Sequence, residues 1–287
     1  MSDARILDRS YRRYEGERRG VAGAVRSLAW HSALRALGLR RSLWAKLLPL
    51  LSVGIAYVPA IVFVGVAALL PEQLVDATGL LPRYADYYGF ISAAIVVFVA
   101  LVGPEVLCPD RRHRTLGLYL ASPLTRDTYL VAKVLAVVPV LALVTLGPPL
   151  LLLVGLTFAG AGPDGAGDFL LVFARVAVGG VAISAAYTAV SLAAASLTER
   201  RAVASAGVML VLLVSGVATS SLVATGADQR LLLLNLGFVP FELVQRIFGQ
   251  VGEVGLSTLE LVGANLAWTA AAGLLVRERY RRLRVTR

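Results

Sequence analysis

The sequence contains few of the side chains from which enzyme sites are built. Its 287 residues include one cysteine, Cys108, and two histidines, His31 and His113. One cysteine cannot form a disulfide within the chain, and so small a set of soft ligands is poorly suited to binding zinc. We therefore expect no catalytic residue and no metal site in this chain.

Three motifs that mark common catalytic machinery are also missing. The chain has no Gly-x-x-x-x-Gly-Lys-Ser/Thr loop to hold the phosphates of ATP, no His-Glu-x-x-His zinc helix and no Gly-x-Ser-x-Gly nucleophile turn. These absences argue against a protease or a lipid transferase. They also predict that this chain binds no cofactor and that any nucleotide hydrolysis belongs to a separate chain.

Apolar sequence is what the chain has in abundance. Hydrophobic residues make up 57% of it and charged residues 16%, and its mean hydropathy is +0.75. Six apolar stretches each reach the roughly 20 residues that a helix needs to cross about 30 Å of hydrocarbon. They occupy residues 45–70, 88–107, 129–155, 169–197, 202–225 and 257–276. Because polar and apolar residues do not alternate in them, the predicted fold class is an all-α integral membrane protein with six transmembrane helices.

Positive charge is concentrated in alternate connections. Of the 28 Lys and Arg residues, 24 lie before residue 47, between residues 105 and 133, at 200–201 or after residue 276. These regions share one side of the membrane if the six spans alternate, so the positive-inside rule predicts that both termini are cytoplasmic. The net charge of +10 is thereby explained without nucleic acid as a partner. Arg outnumbers Lys 26 to 2, which favours a GC-rich bacterial genome and hence the bacterial cell membrane.

The chain is predicted to divide into three parts. Residues 1–44 form a cytoplasmic tail and an amphipathic interfacial helix, 45–276 form the transmembrane domain, and 277–287 form a basic cytoplasmic tail. The first apolar run begins late and is longer than the core of a signal peptide, so we expect it to remain as the first span.

The amphipathic helix is predicted over residues 21–43. At 100° per residue, Ser27, His31 and Arg35 form one polar stripe. A broad apolar face contains Ala29, Trp30, Ala33, Leu34 and Leu37. Such a helix can lie in the membrane interface, with Trp30 and Trp44 at the level of the lipid headgroups. The alternative is a soluble helix packed on another cytoplasmic subunit.

The segment 105–129, between the second and third stretches, is the most distinctive in the chain. It contains a helix-compatible run at 115–121, closed by Ser122 and Pro123 because the residue before proline avoids helical geometry. Leu116 and Leu120 fall on one face of this run. Leucine and tyrosine are more concentrated here than a solvated loop requires, which favours docking in a groove of another protein. The alternative is a loop packed on its own helix ends.

A second apolar segment, at 228–255, falls in an external connection. Pro240 can begin a helix in which Phe241, Val244 and Phe248 share a face, which predicts short re-entrant or interfacial helices between spans five and six. The alternative is a helix resting on lipid. In the sixth stretch, Asn265 is a candidate for contact with a substrate or for a bond to a neighbouring helix.

These features together resemble the permease subunits of ABC-2 type ATP-binding-cassette transporters. The family has a carboxylate near the end of the second span, then a Thr-Leu-acid and Leu-rich run, Ser or Thr before Pro, an Arg, and a Lys in the third span. The matching residues here are Glu105, Thr115, Leu116, Leu120, Ser122, Pro123, Arg126 and Lys133. Gly117 stands where the family has an acid, so no acid-dependent contact is expected there.

The resemblance implies a role for this chain and names its partners. It would be the permease subunit of an ATP-driven exporter, coupled to ABC ATPase subunits that carry ATP and Mg²⁺. A second permease copy or a homologous permease, membrane lipid and a hydrophobic or amphipathic substrate are the other expected partners. The expected coupling residues are Glu105, Arg114, Thr115, Leu116, Leu118, Tyr119, Leu120, Pro123 and Arg126, and those of the substrate path are Phe241, Phe248 and Asn265.

A different class of transporter is the alternative. An ion-coupled secondary transporter or channel would act without an ATPase. Such proteins normally carry ionisable residues at the middle of the membrane, and the six stretches contain almost none.

Overall fold

The computed structural model describes residue 16 and residues 19–39, 43–250, 252 and 254–283, and within these ranges the chain is helical, with no strand. The helices are α1 Gly20–Ala36, α2 Leu43–Leu69, α3 Glu72–Thr78, α4 Tyr87–Arg112, α5 Leu116–Leu120, α6 Arg126–Thr145, α7 Gly147–Phe158, α8 Gly165–Leu197, α9 Arg201–Ala224, α10 Val239–Ile247 and α11 Thr258–Arg282. A 3₁₀ helix, Gln229–Leu234, precedes α10.

Six helical segments are long and apolar enough to cross a membrane, which confirms the predicted number of spans. They are Pro49–Leu69, Tyr87–Arg112, Arg126–Phe158, Gly165–Leu197, Arg201–Ala224 and Thr258–Arg282. Residues 277–282, the first part of the predicted basic tail, continue the helix of the last span, and their cytoplasmic location stays a prediction. The chain is therefore a multi-pass, all-α membrane protein.

The third span consists of two helices. α6 ends at Thr145, Leu146 has a φ of −106°, and α7 begins at Gly147. Pro148 and Pro149 lie in the first turn of α7. Backbone N–H groups in a first turn have no acceptor within the helix, so proline costs no hydrogen bond there. The break thus falls where prolines are tolerated.

Helices α4 and α8 form the centre of the bundle and approach each other closely. A Cβ atom added at Gly103 would lie 2.0 Å from Oγ of Ser191, whose hydroxyl donates a 2.8 Å bond to the carbonyl of Val99. About three turns earlier in α8, the carbonyl of Gly180 accepts a 3.1 Å bond from the hydroxyl of Thr145 in α6. Small residues therefore let these helices pack backbone against backbone, as is common inside membranes.

The segment between α9 and α11 folds back onto the bundle. Val244 of α10 is fully buried, and a Cβ added at Gly179 of α8 would lie 3.1 Å from its side chain. Trp268 of α11 donates a 2.9 Å bond to the carbonyl of Leu233 in the 3₁₀ helix. The predicted short helix beginning near Pro240 is confirmed. We call the end of the molecule that contains this segment the excursion end.

The opposite end holds α1, α5, the C-terminal ends of α4, α8 and α11, and the N-terminal ends of α6 and α9. We call it the basic end because its arginines include Arg111, Arg112, Arg200, Arg201 and Arg277. It is the end that the positive-inside rule assigns to the cytoplasm.

Helix α1 packs across the basic end against α4 and α6. It ends at Ala36, earlier than the predicted residue 43, and Gly38 follows with a φ of 70°, the left-handed geometry that stops helices. Its buried residues are Leu28, Ser32 and Ala36, whereas Trp30 is 63% exposed. Of the predicted apolar face, Ala29, Ala33 and Leu37 pack against the bundle. The interfacial placement of Trp30 stays a prediction, and residues 1–15 and the side chain of Trp44 lie outside the described part.

Candidate functional site

A buried carboxylate lies at the centre of the basic end. Asp110, in the last turn of α4, is 2% exposed. Its Oδ1 accepts a bond from Nη1 of Arg35 at 2.8 Å, and its Oδ2 lies 2.6 Å from Nζ of Lys133. The hydroxyl of Tyr129 donates to the same Oδ2 at 3.0 Å. One side chain thus joins α1, α4 and α6.

Lys133 completes this arrangement from the first turns of α6. It is fully buried, and its Nζ donates to the Ser32 hydroxyl at 3.0 Å. The ammonium also lies 5.1 Å from the ring centre of Tyr129 and 5.7 Å from that of Tyr119, within the range of cation–π attraction. We name Ser32, Arg35, Asp110, Tyr129 and Lys133 the Asp110 cluster.

The charges of the Asp110 cluster depend on one another. One carboxylate balances two cations, and the buried ammonium of Lys133 has hydrogen-bond partners in Asp110 and Ser32. Removing one member of a buried ion pair commonly costs about 3–5 kcal/mol, because the charge left behind has lost both water and its partner. The cluster therefore favours a single arrangement of α1, α4 and α6.

Stacked tyrosines extend the cluster to two more helices. The ring centre of Tyr129 lies 5.7 Å from that of Tyr119 on α5 and 5.7 Å from that of Tyr280 on α11. Such separations are typical of attractive aromatic pairs. A displacement of α5 would thus be felt by α6 and α11 through three rings.

The environment of the cluster keeps Arg35 charged and Tyr119 neutral. Burial alone would lower the pKa of Arg35, but the hydrogen bond and the charge of Asp110 raise that pKa above its ordinary value. Burial, together with the charge of Asp110, raises the pKa of Tyr119. Neither Arg35 nor Tyr119 therefore changes its protonation near neutral pH.

Two further arginines tie α4 to the adjacent ends of α8 and α9. Arg111 donates to the carbonyl of Ser196 and, at 3.3 Å, to that of Thr198, which lie at and just after the end of α8. Arg201, at the start of α9, forms an ion pair with the buried carboxylate of Glu105. Cations at exposed C-terminal carbonyls are favourable because they meet the negative end of the helix dipole.

Arginines also join the start of α6 to the end of α11. Arg126 donates to the carbonyl of Arg281 and, at 3.0 Å, to that of Leu283. Arg277 lies 3.1 Å from the carboxylate of Asp127, and both side chains are more than half exposed. Together with the Asp110 cluster, these contacts connect the ends of five helices, α1, α4, α5, α6 and α11.

The short helix α5 has an inward and an outward side. Leu116 is buried, Tyr119 faces the Asp110 cluster, and Leu120 is half-buried. Leu118 points away and is 73% exposed. The structure thus separates the predicted apolar coupling residues, leaving Leu118 as the apolar side chain that α5 presents outward.

The remaining predicted coupling residues are spread along the same connection. Glu105 lies a full turn and a half before Asp110 in the interior of α4, and its partner is Arg201. Arg114 is exposed in the turn before α5 with a φ of 52°, and the hydroxyl of Thr115 donates to the carbonyl of Asp110 at 3.3 Å. Pro123 is exposed after α5.

Sequence reasoning gave no role to several members of this site. Asp110 and Tyr129 lie in the segment 105–129 but carry no predicted role, and Arg35 belongs to the predicted polar stripe of the amphipathic helix. No sequence pattern singles out Ser32 or Tyr280. The available signal was the opposite charge of Asp110 and Lys133 at adjoining ends of consecutive spans.

The predicted substrate-path residues lie towards the excursion end. The ring of Phe241 is 6.2 Å from that of Tyr187, and the carbonyl of Phe248 accepts a 3.3 Å bond from Arg175. Asn265 is 7% exposed. Within the described ranges, its Oδ1 and the hydroxyl of Tyr187 have no hydrogen-bond partner. Buried polar atoms of this kind could meet a polar group of a bound molecule.

No three His, Cys, Asp or Glu side chains of the described residues lie together as possible metal ligands. Cys108 is buried, with its thiol 3.7 Å from the carbonyl of Ala195.

Comparison with known proteins gives one family. The family model described as ABC-2 family transporter protein matches residues 8–282, nearly the whole chain. No curated protein sequence matches the chain.

Proposed function

This chain belongs to the ABC-2 transporter family and is a membrane permease component of an ABC transporter, and from that membership we propose that separate ATPase subunits drive it from the basic end. The ATPases would bind ATP and Mg²⁺, and two permease chains, identical or related, would enclose the path. Dimerisation of the ATPases on binding ATP would displace the basic end and shift the bundle between inward-facing and outward-facing states.

The contacts of α5 are the observation that carries this proposal. Leu118 is an exposed apolar side chain, and the ring of Tyr119, next to it, packs at a tilt against that of Tyr129 in the Asp110 cluster. If a bound ATPase displaces α5, the displacement is therefore transmitted directly to the ends of α1, α4, α6 and α11. A loop that lay free in solvent could not pass on such a load.

The distribution of charge supports a cytoplasmic basic end. Described arginines from four separate parts of the chain, Arg35, Arg111, Arg200 and Arg277, lie at this end, in agreement with the positive-inside rule for a cytoplasmic face. ATP is available there. Both termini would then be in the cytoplasm of a bacterial cell.

We propose export rather than import. The family resemblance favours export, and the connections at the excursion end offer no evident platform for an external binding protein. The substrate would be hydrophobic or amphipathic, because the bundle carries few charges and the candidate residues Phe241, Phe248 and Asn265 provide aromatic surface and one amide.

A secondary transporter is less well supported. It would need exchangeable charges in the middle of the spans. Asp110 and Lys133 are buried, but they lie near the basic end and are held by several partners. Such a cluster suits a structural joint better than an ion path.

Isolation of the complex from its native membrane tests the proposal. The affinity-tagged chain, extracted in mild detergent, should copurify with a chain that carries a Gly-x-x-x-x-Gly-Lys-Ser/Thr loop and hydrolyses ATP. Transport by the purified chain alone in vesicles, driven by an ion gradient and without any ATPase, would overturn the assignment.

A further inference from the structure

A groove opens on the outer surface of the bundle between α6, α8 and α11. Its volume is about 560 Å³, and its walls are almost entirely apolar, with Leu130, Val134, Leu135, Ala189, Leu192 and Gly273 among the lining residues. Two threonines also line it, of which Thr269 donates to the carbonyl of Asn265 at 2.7 Å. The groove therefore suits a hydrocarbon chain.

Charged residues stand at one end of this groove only. Asp127 and Arg277 line its mouth at the basic end. Arg281 lies one turn beyond Arg277 on the same side of α11 and interacts electrostatically with Asp127, and Arg126 is adjacent in sequence. The guanidinium groups of Arg277 and Arg281 thus lie near one carboxylate, and that of Arg126 donates to the carbonyl of Leu283 at the end of α11. The mouth therefore carries an excess of positive charge.

The length of the groove matches one leaflet of a bilayer. Along α6 it extends from Asp127 to Val138, about 16 Å at 1.5 Å per residue. Half of a typical hydrocarbon core is about 15 Å. An acyl chain entering at the mouth would fill the groove while its headgroup stayed beside the arginines.

A second groove, on the opposite side of α11, has no charged mouth. It lies between α8, α9 and α11, has a volume of about 630 Å³ and includes Trp268 in its wall, but no charged residue lines it. The two grooves are similar in size and apolar character. Because only the groove between α6, α8 and α11 has a positively charged mouth, only this groove favours an anionic amphipath. The other groove can be covered by the tail of any lipid.

We infer that the groove between α6, α8 and α11 binds an anionic phospholipid of the leaflet at the basic end. One acyl chain lies along α6, and the phosphate is held by Arg277 and Arg281. This phospholipid is a resident of the site and not the transported molecule. The inference requires only that the chain spans a membrane and is independent of the proposed coupling to an ATPase.

Binding of defined phospholipids to the purified full chain tests the charge at the mouth. Dioleoylphosphatidylglycerol and dioleoylphosphatidylcholine have the same acyl chains and differ in headgroup charge, and native mass spectrometry can count each when bound. The phosphatidylglycerol should bind about tenfold more tightly at low salt, and the preference should decline as salt is added. Equal binding of the two lipids would overturn the inference.

Paired substitutions place the site. R277Q with R281Q should abolish the preference for phosphatidylglycerol, whereas R279Q with R282Q removes the same charge from the other side of α11 and should preserve it. The reverse result, or the same loss in both variants, would contradict the assignment of the headgroup to this mouth.

A second pair of variants tests the groove itself. A Cβ atom added at Gly273 meets no atom within 4 Å, so G273L should fill the groove without disturbing the fold and displace the bound phosphatidylglycerol. Gly207 lines the other groove and is equally unobstructed, so G207L is the matched control and should retain it. Retention in G273L would refute the site.

A second copy of the chain is the competing occupant of the groove. In a C108S background, V131C places a thiol on the exposed wall. Absence of crosslinks between copies in the membrane agrees with a lipid. Efficient crosslinking through this position would show that protein covers the groove and would overturn the inference.

Discussion

At the scale of single residues, Asp110 decides how the basic end is held together. Its carboxylate is contacted by Arg35 and Lys133 at 2.8 Å and 2.6 Å and accepts a third bond from Tyr129. Arg35 is separated from Asp110 by 75 positions in the chain. A contact of that range depends on α1 crossing α4 and α6, which no local pattern in the sequence expresses.

Replacement of Asp110 by Asn should therefore destabilise the protein markedly. The substitution leaves the buried Lys133 and the partly exposed Arg35 without a counter-charge, which we expect to cost about 3–5 kcal/mol and to release α1 to proteolysis. Thermal unfolding in detergent measures the first effect and limited proteolysis the second.

The exposed pair of Asp127 and Arg277 provides the control. Its two side chains are 57% and 55% exposed, so D127N should unfold at nearly the same temperature as the unsubstituted protein. If D110N unfolded at the same temperature as D127N, the Asp110 cluster would not be the joint that we describe.

At the scale of helices, the six spans follow from physics that is visible in the sequence. Lipid offers no hydrogen bonds, so long apolar runs without period-2 alternation must be helices. The sequence could not predict in the same way that α1 buries Ser32. A rule based on hydrophobicity assigns a serine to the exposed side of a helix, whereas this one is buried because it accepts a hydrogen bond from Lys133. The inward and outward sides of α5 were similarly undecided, since a five-residue helix has no clear periodicity.

The contact between α4 and α8 gives a prediction at this scale. G103A should destabilise the bundle by about 1–3 kcal/mol, because its Cβ would lie 2.7 Å from that of Ser191 and 3.0 Å from its backbone carbonyl carbon. Gly89, in the same helix α4, has nothing within 4 Å of an added Cβ, so G89A should be neutral or slightly stabilising. Thermal unfolding of the two variants in detergent distinguishes them, and equal stability would contradict this packing.

At the scale of the whole molecule, the two ends of the bundle differ in what they display. The basic end carries a joined set of helix ends with Leu118 exposed, and the excursion end is closed by α10 against α8. The number of spans and the family were predictable from the sequence. The way in which one buried cluster connects five helix ends was not, because it arises from contacts between distant segments.

The orientation of the molecule can be tested in intact cells. We expect a cysteine at position 164 to react with an impermeant maleimide and one at position 200 to be protected until the cells are opened, because Asp164 lies at the excursion end and Arg200 at the basic end. Both are made in a C108S background. Labelling at 200 alone in intact cells would reverse the orientation.

The most direct test of the central claim, that α5 transmits the action of an ATPase to the bundle, is ATP hydrolysis by the reconstituted complex as a function of permease concentration. L118A removes the exposed apolar side chain of α5. It should weaken binding of the permease to the ATPase by about 2 kcal/mol, which raises the apparent Kd for stimulation of ATP hydrolysis roughly thirtyfold, while thermal unfolding of the permease stays unchanged. Val21, an exposed apolar residue of α1 at the same end, provides the matched variant V21A, which should stimulate normally. Normal stimulation by L118A would contradict the account.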